Sequence, residues 1–163
     1  MTRVLGLDIA TKCGWCRYDG VQYVTGVIDC SPESRDEPEG ARYLRMSRAI
    51  HYLIGDIDAA IIERTYSKGK RTAEVLNGLT AVVLTELDRR GIEYAFVDAS
   101  VLKSFARTQG VEGSAEYSHK VAMQAEASDY FAREVTTDEA DSWWLVRYWQ
   151  EHMAPGVAER EEG

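Results

Sequence analysis

What this sequence lacks narrows it first. No apolar run approaches the roughly 20 residues that a membrane-crossing helix needs. The opening MTRVLGLDI enters an apolar stretch with no charged n-region, long h-region or cleavage site. A cytoplasmic protein without a signal peptide is therefore expected, with no membrane partner. Cysteine is scarce: three residues, an odd number, fit a reducing compartment better than a disulfide framework. Positive charge is in the minority. With 19 Lys and Arg against 27 Asp and Glu, the formal net charge is −8. That argues against a generally basic nucleic-acid coat protein. It leaves room for a nuclease, because a site made of carboxylates is itself acidic and a local basic patch can meet phosphate. There is no internal repeat, low-complexity tract or second domain.

What is present is an ordinary folded chain. Its 163 residues, 45% hydrophobic and 28% charged, suit one domain with a real core. That domain is expected over residues 1–153, followed by APGVAEREEG, residues 154–163, as a disordered acidic tail. Three strands are read at 3–9, 14–19 and 21–28, with Asp19-Gly20 as a hairpin signal. Residues 30–40, with two prolines, a glycine and four acids, are a loop. Apolar positions recur at helical spacing over 41–54 and over 72–89, the second helix stopped by Gly91. Strands are read at 58–63, ending in Glu63, and at 92–98. Helices follow at about 100–107 and 115–128, around a Gly-containing loop at 108–114. A last helix runs from TTDEADSWW to about His152, where Thr136 and Glu139 fit a capping box. The early antiparallel strands followed by alternating α and β units predict an α/β fold with a mixed five-stranded sheet flanked by helices.

Four acids stand out against this layout. Asp8 ends the first strand and Glu63 ends another. Asp138 and Asp141, spaced i, i+3, point to one side of the last helix near its start. Strand ends and helix starts are where side chains converge at the edge of an α/β sheet. Converged carboxylates repel, and a hard divalent cation relieves the repulsion. Mg²⁺ prefers oxygen ligands and keeps room for a substrate phosphate, so the residue types fit metal-dependent phosphodiester cleavage. Acids at strand ends and helix starts also occur for ordinary reasons; the helix dipole explains Asp138 well and Asp141, beyond the first turn, less well. Glu139 is read as a cap, not a ligand. Directly after Glu63 comes a basic loop with Arg64, Lys68, Lys70 and Arg71, together with Tyr66. Beside a metal site these are natural phosphate contacts, and Tyr66 is placed to stack on a base. Trp143, Trp144, Tyr148 and Trp149 suit a core or a dimer interface better than base stacking. His119, beside Lys120, is a candidate to aid catalysis, though a surface position is the expectation; His51 and His152 look structural or exposed.

In order along the chain, VLGLDIATKCGW, AAIIERTYSKGKRTAEVLNGLTAVVLTEL, DASVLKSFARTQGVEGSAEYSHKVAM and DEADSWWL resemble the motifs of the RuvC-type Holliday-junction resolvases, in the RNase H-like superfamily. The resemblance spans about residues 3–150. It implies Asp8, Glu63, Asp138 and Asp141 as ligands of Mg²⁺ (with Mn²⁺ as a substitute), two ions in all. Lys103 and Lys120 fall where family lysines approach the substrate. The resemblance further implies a homodimer that nicks two opposed strands of branched DNA, leaving 5′-phosphate and 3′-hydroxyl ends. The chain departs from the family at Asp98-Ala99-Ser100, where a common proline is absent, and in its acidity, which bears on tight junction recognition. Two other readings stand beside this one: a nuclease of the same fold acting on structured RNA, as in YqgF-like relatives, and a non-catalytic nucleic-acid binding module. An actin-like ATPase also opens on an apolar strand and an aspartate, but the chain is too short for that duplicated domain and has no Gly-rich phosphate loop.

The pair Cys13-x-x-Cys16 competes for the chemistry. A zinc site would need further ligands, and there is no second C-x-x-C and no H-x₃₋₅-H. A thioredoxin-like pair would open a helix, whereas this one heads a strand. Asp8 is the stronger candidate.

Overall fold

The computed structural model describes residues 2–64, 66–115 and 117–154. Ten elements follow in the order β1 (Val4–Asp8), β2 (Lys12–Tyr18), β3 (Tyr23–Asp29), α1 (Gly40–Leu53), β4 (Ala59–Arg64), α2 (Lys70–Arg89), β5 (Glu93–Asp98), α3 (Ala99–Thr108), α4 (His119–Phe131) and α5 (Thr137–His152). The strands form one sheet in the order β3-β2-β1-β4-β5. β1, β2 and β3 pair antiparallel, while β1–β4 and β4–β5 pair parallel. This is the mixed five-stranded sheet that the sequence predicts. The residues from 155 onward of the expected tail lie outside the described residues.

Side-chain alternation along the strands divides the core in two. Leu5, Leu7 and Ile62 face α1 and α2, against Met46, Ile50, Leu79, Val83 and Leu87. Val4, Ile61 and Val97 face the other way, against Leu102, Phe105, Met123, Trp144 and Leu145 of α3, α4 and α5. β1 is buried over its whole length because both of its faces are covered. α5 is buried on nearly all sides from Glu139 to Val146, since it lies between the sheet and the α3–α4 pair. Trp143, Trp144 and Trp149 are core residues, as their type suggested.

Element boundaries differ from expectation where side chains intervene. The hairpin turn takes in residues 19–22, because the Asp19 carboxylate accepts the N–H groups of Val21 and Gln22 and ends the ladder at Tyr18↔Tyr23. α4 begins four residues late. Ser118 caps it by accepting the Val121 N–H, and Ser114 and Tyr117 close a turn just before it. β4 runs one residue past Glu63, and α2 begins at Lys70. The basic stretch is therefore not one loop: Arg64 belongs to a strand, Lys70 and Arg71 to a helix.

Candidate active site

Strand register assembles the first half of the site. β1 and β4 run parallel with Leu7 opposite Ile62, so Asp8 and Glu63 stand next in line on adjacent strands. Alternation puts both on the face of Gly6 and Ile61, the face that α5 covers.

Two glycines let α5 bring the second half. A Cβ on Gly14 would fall inside the backbone of Asp138, and one on Gly6 would meet the Ser142 carbonyl and the Val146 side chain. Only bare backbone at these positions admits the helix so close to β1 and β2. Gly14 is the register partner of Asp8, so the contact that seats Asp138 also sets it beside Asp8. The capping box holds the start of the helix. Thr136 Oγ1 accepts the Glu139 N–H at 3.1 Å, and Glu139 Oε2 accepts the Thr136 N–H at 2.8 Å. Glu139 also accepts from Arg133 at 2.9 Å and from the Thr25 hydroxyl at 3.1 Å. Burial alone would raise its pKa; these bonds outweigh burial and hold it below the ordinary glutamate value. It is a cap, as the sequence predicts, and the structure adds a tie to β3.

The electrostatics of the cluster are frustrated. Asp8 and Asp141 are each only 8% exposed. Burial, then the charges of Glu63, Asp141 and Asp138, pushes the Asp8 carboxyl up to about 8. Burial and Asp141 push Glu63 up to about 7, with Lys120 and Lys103 pulling the other way. Asp141 is raised by burial, against the pull of Lys120. Lys120 Nζ lies 3.4 Å from Asp141 Oδ2. Burial would lower that ammonium, but Asp141, with Asp8 and Asp138 behind it, holds it above its ordinary value. Lys103 and Lys120 line one cavity of about 140 Å³ together with Glu63, Asp141, Ala99, Leu102 and Met123.

Among the described residues, no three His, Cys, Asp or Glu side chains form a ready-made metal cage. The donor set nevertheless fits a hard cation. Every candidate ligand is a carboxylate oxygen, and Asp8 and Glu63 are driven toward protonation by burial and by the charges of neighbouring carboxylates. Mg²⁺ characteristically uses one or two carboxylates together with waters and substrate oxygens, so a closed protein cage is not what it requires.

The remaining candidates separate. Tyr66 is 78% exposed, and Lys68, Lys70 and Arg71 are exposed. Arg64 is engaged elsewhere: its guanidinium lies over the Phe96 ring at 5.0 Å and 3.4 Å from Asp98, which ties β4 to β5. Cys13 and Cys16, three apart on one strand, point to opposite faces of the sheet and into separate cores. Both are free and buried, and burial raises both thiols, so they form neither a metal pair nor a redox pair. His51 sits 3.8 Å from the buried Glu86, and His152 stacks on Tyr148; both are exposed. The two glycine seats carry no chemistry of their own and do not stand out in the sequence. A glycine at an inward-facing strand position was the available signal.

No protein-family model matches the chain, and no curated protein matches its sequence. Solved structures do match its fold. The RuvC of Thermus thermophilus in complex with a Holliday junction substrate superposes with a TM-score of 0.71 at 12% identity, over 96% of this chain and 98% of that one. A second Thermus thermophilus RuvC structure gives 0.69 at 14% identity, over 94% and 98%. At such identities the likeness is one of fold, and it runs nearly end to end.

Proposed function

We propose that this chain is a divalent-metal-dependent endonuclease that cuts four-way or other branched DNA by paired nicks, leaving 5′-phosphate and 3′-hydroxyl ends. The observation that carries the reading is the meeting of Asp8, Glu63 and Asp141 from three elements, two of them raised to about 8 and about 7, beside a cavity faced by two lysines. The fold shared with a RuvC seen on a Holliday junction points to the substrate class.

In this reading Asp8, Glu63, Asp138 and Asp141 hold one or two Mg²⁺ ions, with Mn²⁺ as a substitute. The bound cation supplies Lewis-acid activation of the phosphodiester and of its attacking water. The protein does the rest. Lys120 offsets the charge of Asp141 and opposes the rise that burial gives its carboxyl. Lys103 and Lys120 present positive charge to the scissile phosphate from one side of the cavity. Lys70 and Arg71 sit in the first turn of α2, where the helix dipole disfavours cations by a few tenths of a kcal/mol. A phosphate in that place reverses the balance, since it favours both the helix N-terminus and the cations. With Lys68 they form the backbone contact, and Tyr66 supplies a stacking face. Cutting two opposed strands requires two such sites, so the active species is a homodimer.

A labelled four-way junction with Mg²⁺ tests this. Wild type is expected to cut it. Asp8→Asn should lose cleavage by about 10³-fold or more while binding the junction within about threefold of wild type. Cleavage persisting in Asp8→Asn overturns the assignment, and cleavage of structured RNA in preference to the junction transfers it to RNA.

A further inference from the structure

The imidazole of His119 is the part of this region that the carboxylate centre leaves unused. His119 is the first residue of α4, next to Lys120. Its Nδ1 lies 3.4 Å from the Gly113 N–H, and its Nε2 lies 3.1 Å from the Lys103 carbonyl oxygen. A backbone N–H can only donate and a carbonyl can only accept. These partners match the tautomer with the proton on Nε2 and the lone pair on Nδ1. Both nitrogens are used, and the tautomer is fixed by its partners.

Those partners lie in three segments: α3, the connection from 109 to 118, and α4. α3 and α4 each pack on α5 and otherwise touch one another little. Gly113 comes close to the start of α4, because a Cβ there would press on the Tyr117 carbonyl at 2.9 Å and the His119 nitrogen at 2.6 Å. One imidazole thus spans from the helix of Lys103 to the helix of Lys120. These are the two lysines that line the cavity with Glu63 and Asp141.

We infer that His119 is a positioning residue: a tautomer-locked clasp that fixes the separation of Lys103 and Lys120 across the carboxylates. The inference rests on the reading above, that this cluster cleaves phosphodiesters. Misplacement of a charged group by about 1 Å at such a site lowers a rate by about 10²-fold without altering how the rest of the substrate binds. The clasp therefore predicts an effect on kcat and not on KM.

The test combines ring chemistry with kinetics. In ¹⁵N-histidine-labelled wild type, the His119 signals should show a bare Nδ1 and a protonated Nε2; the opposite tautomer overturns the clasp. With the four-way junction and Mg²⁺, His119→Ala should lower kcat about 10- to 100-fold with KM within about threefold. His119→Gln, whose amide can still donate to the Lys103 carbonyl, should recover most of that loss. Wild-type kcat in His119→Ala overturns the proposal, as does an equal loss in His119→Gln. Should His119→Ala fail to fold, the glutamine variant and the tautomer decide. A wild type that leaves the junction uncut removes the nuclease reading alone. The clasp is then judged by the tautomer and by amide exchange at Gly113 and its described neighbours, which must accelerate in His119→Ala and stay near wild type in His119→Gln if the clasp holds the connection; exchange unchanged in His119→Ala, or equally fast in both variants, overturns it.

Discussion

Asp8 and Glu63 show what one buried carboxylate does beside another. Each has a folded-state value raised above its unfolded one, Asp8 from 3.8 to about 8 and Glu63 from 4.5 to about 7. Between those limits the native state binds more protons than the unfolded state, so stability falls as pH rises. Their contribution is fully present below about pH 4, declines from pH 4 to 8, and is flat above that. Without divalent cation the protein is therefore expected to melt higher at pH 5 than at pH 8. Asp8→Asn should remove the larger part of this slope and stabilise the metal-free protein at pH 8, since each tenfold difference in proton affinity between folded and unfolded states is worth about 1.4 kcal/mol and Asp8 carries the larger of the two shifts. Chemical denaturation at the two pH values measures this. Added Mg²⁺ should raise the melting temperature of wild type at pH 8 and leave Asp8→Asn nearly unmoved, since a ligand stabilises only the state that binds it. A wild-type protein that gains stability from pH 5 to pH 8 in the absence of metal would contradict the frustrated cluster.

At the scale of elements, the placement of α5 decides the site. Its sequence, TDEADSWWLVRYWQEH, is too apolar around its circumference to lie on a surface, and the structure buries it between the sheet and two other helices. The carboxylates of Asp138 and Asp141 are therefore delivered to the sheet's end by a helix whose position is set by packing. Gly14 is the point of closest approach. Gly14→Ala is expected to push α5 outward, at ~2–4 kcal/mol, through overpacking against backbone that cannot give way. It should also depress cleavage in the fraction that stays folded, by separating Asp138 from Asp8. Gly40→Ala, at the start of α1 with open space where the Cβ would stand, is the control; its denaturation midpoint should stay level or rise slightly. Equal midpoints for the two variants would remove the role given to Gly14.

Taken whole, the molecule carries a net charge of −8 yet places Lys68, Lys70 and Arg71 after β4 and Lys103 and Lys120 on α3 and α4, after β5. In the proposed function, binding to DNA depends on these cations working against the field of the remainder. Affinity should fall steeply with salt. Replacing Lys68, Lys70 and Arg71 together by Ala should weaken junction binding at low salt and reduce the slope of log K against log[salt] by about 2–3, since each phosphate contact contributes about 0.9. A slope unchanged in the triple variant would show that these residues do not meet the DNA backbone. Arg64 is left out of the set because Asp98 and Phe96 already hold it.

Much of this protein was legible in the sequence because its signals are local. Strand alternation, helical spacing and turn residues laid out ten elements in the right order. The Thr136–Glu139 box marked a helix start, and carboxylates at strand ends and a helix start marked the residues that the structure brings together. The acids were readable because charge at the end of an apolar run is conspicuous in one dimension. Pairing was not. That Asp8 and Glu63 share a face follows from the β1–β4 register, and that Cys13 and Cys16 are parted by the sheet follows from strand period alone once β2 is known to include both. The nearness of Asp138 to Asp8 depends on a missing side chain at Gly14, near the opposite end of the chain. The removal of Arg64 from the basic stretch and the bridging ring of His119 likewise required the neighbours that folding brings. The order of residues alone decides which groups each element carries; their distances, burial and mutual charges exist only once the helices close on the sheet, because those quantities are set by packing between segments remote in the chain.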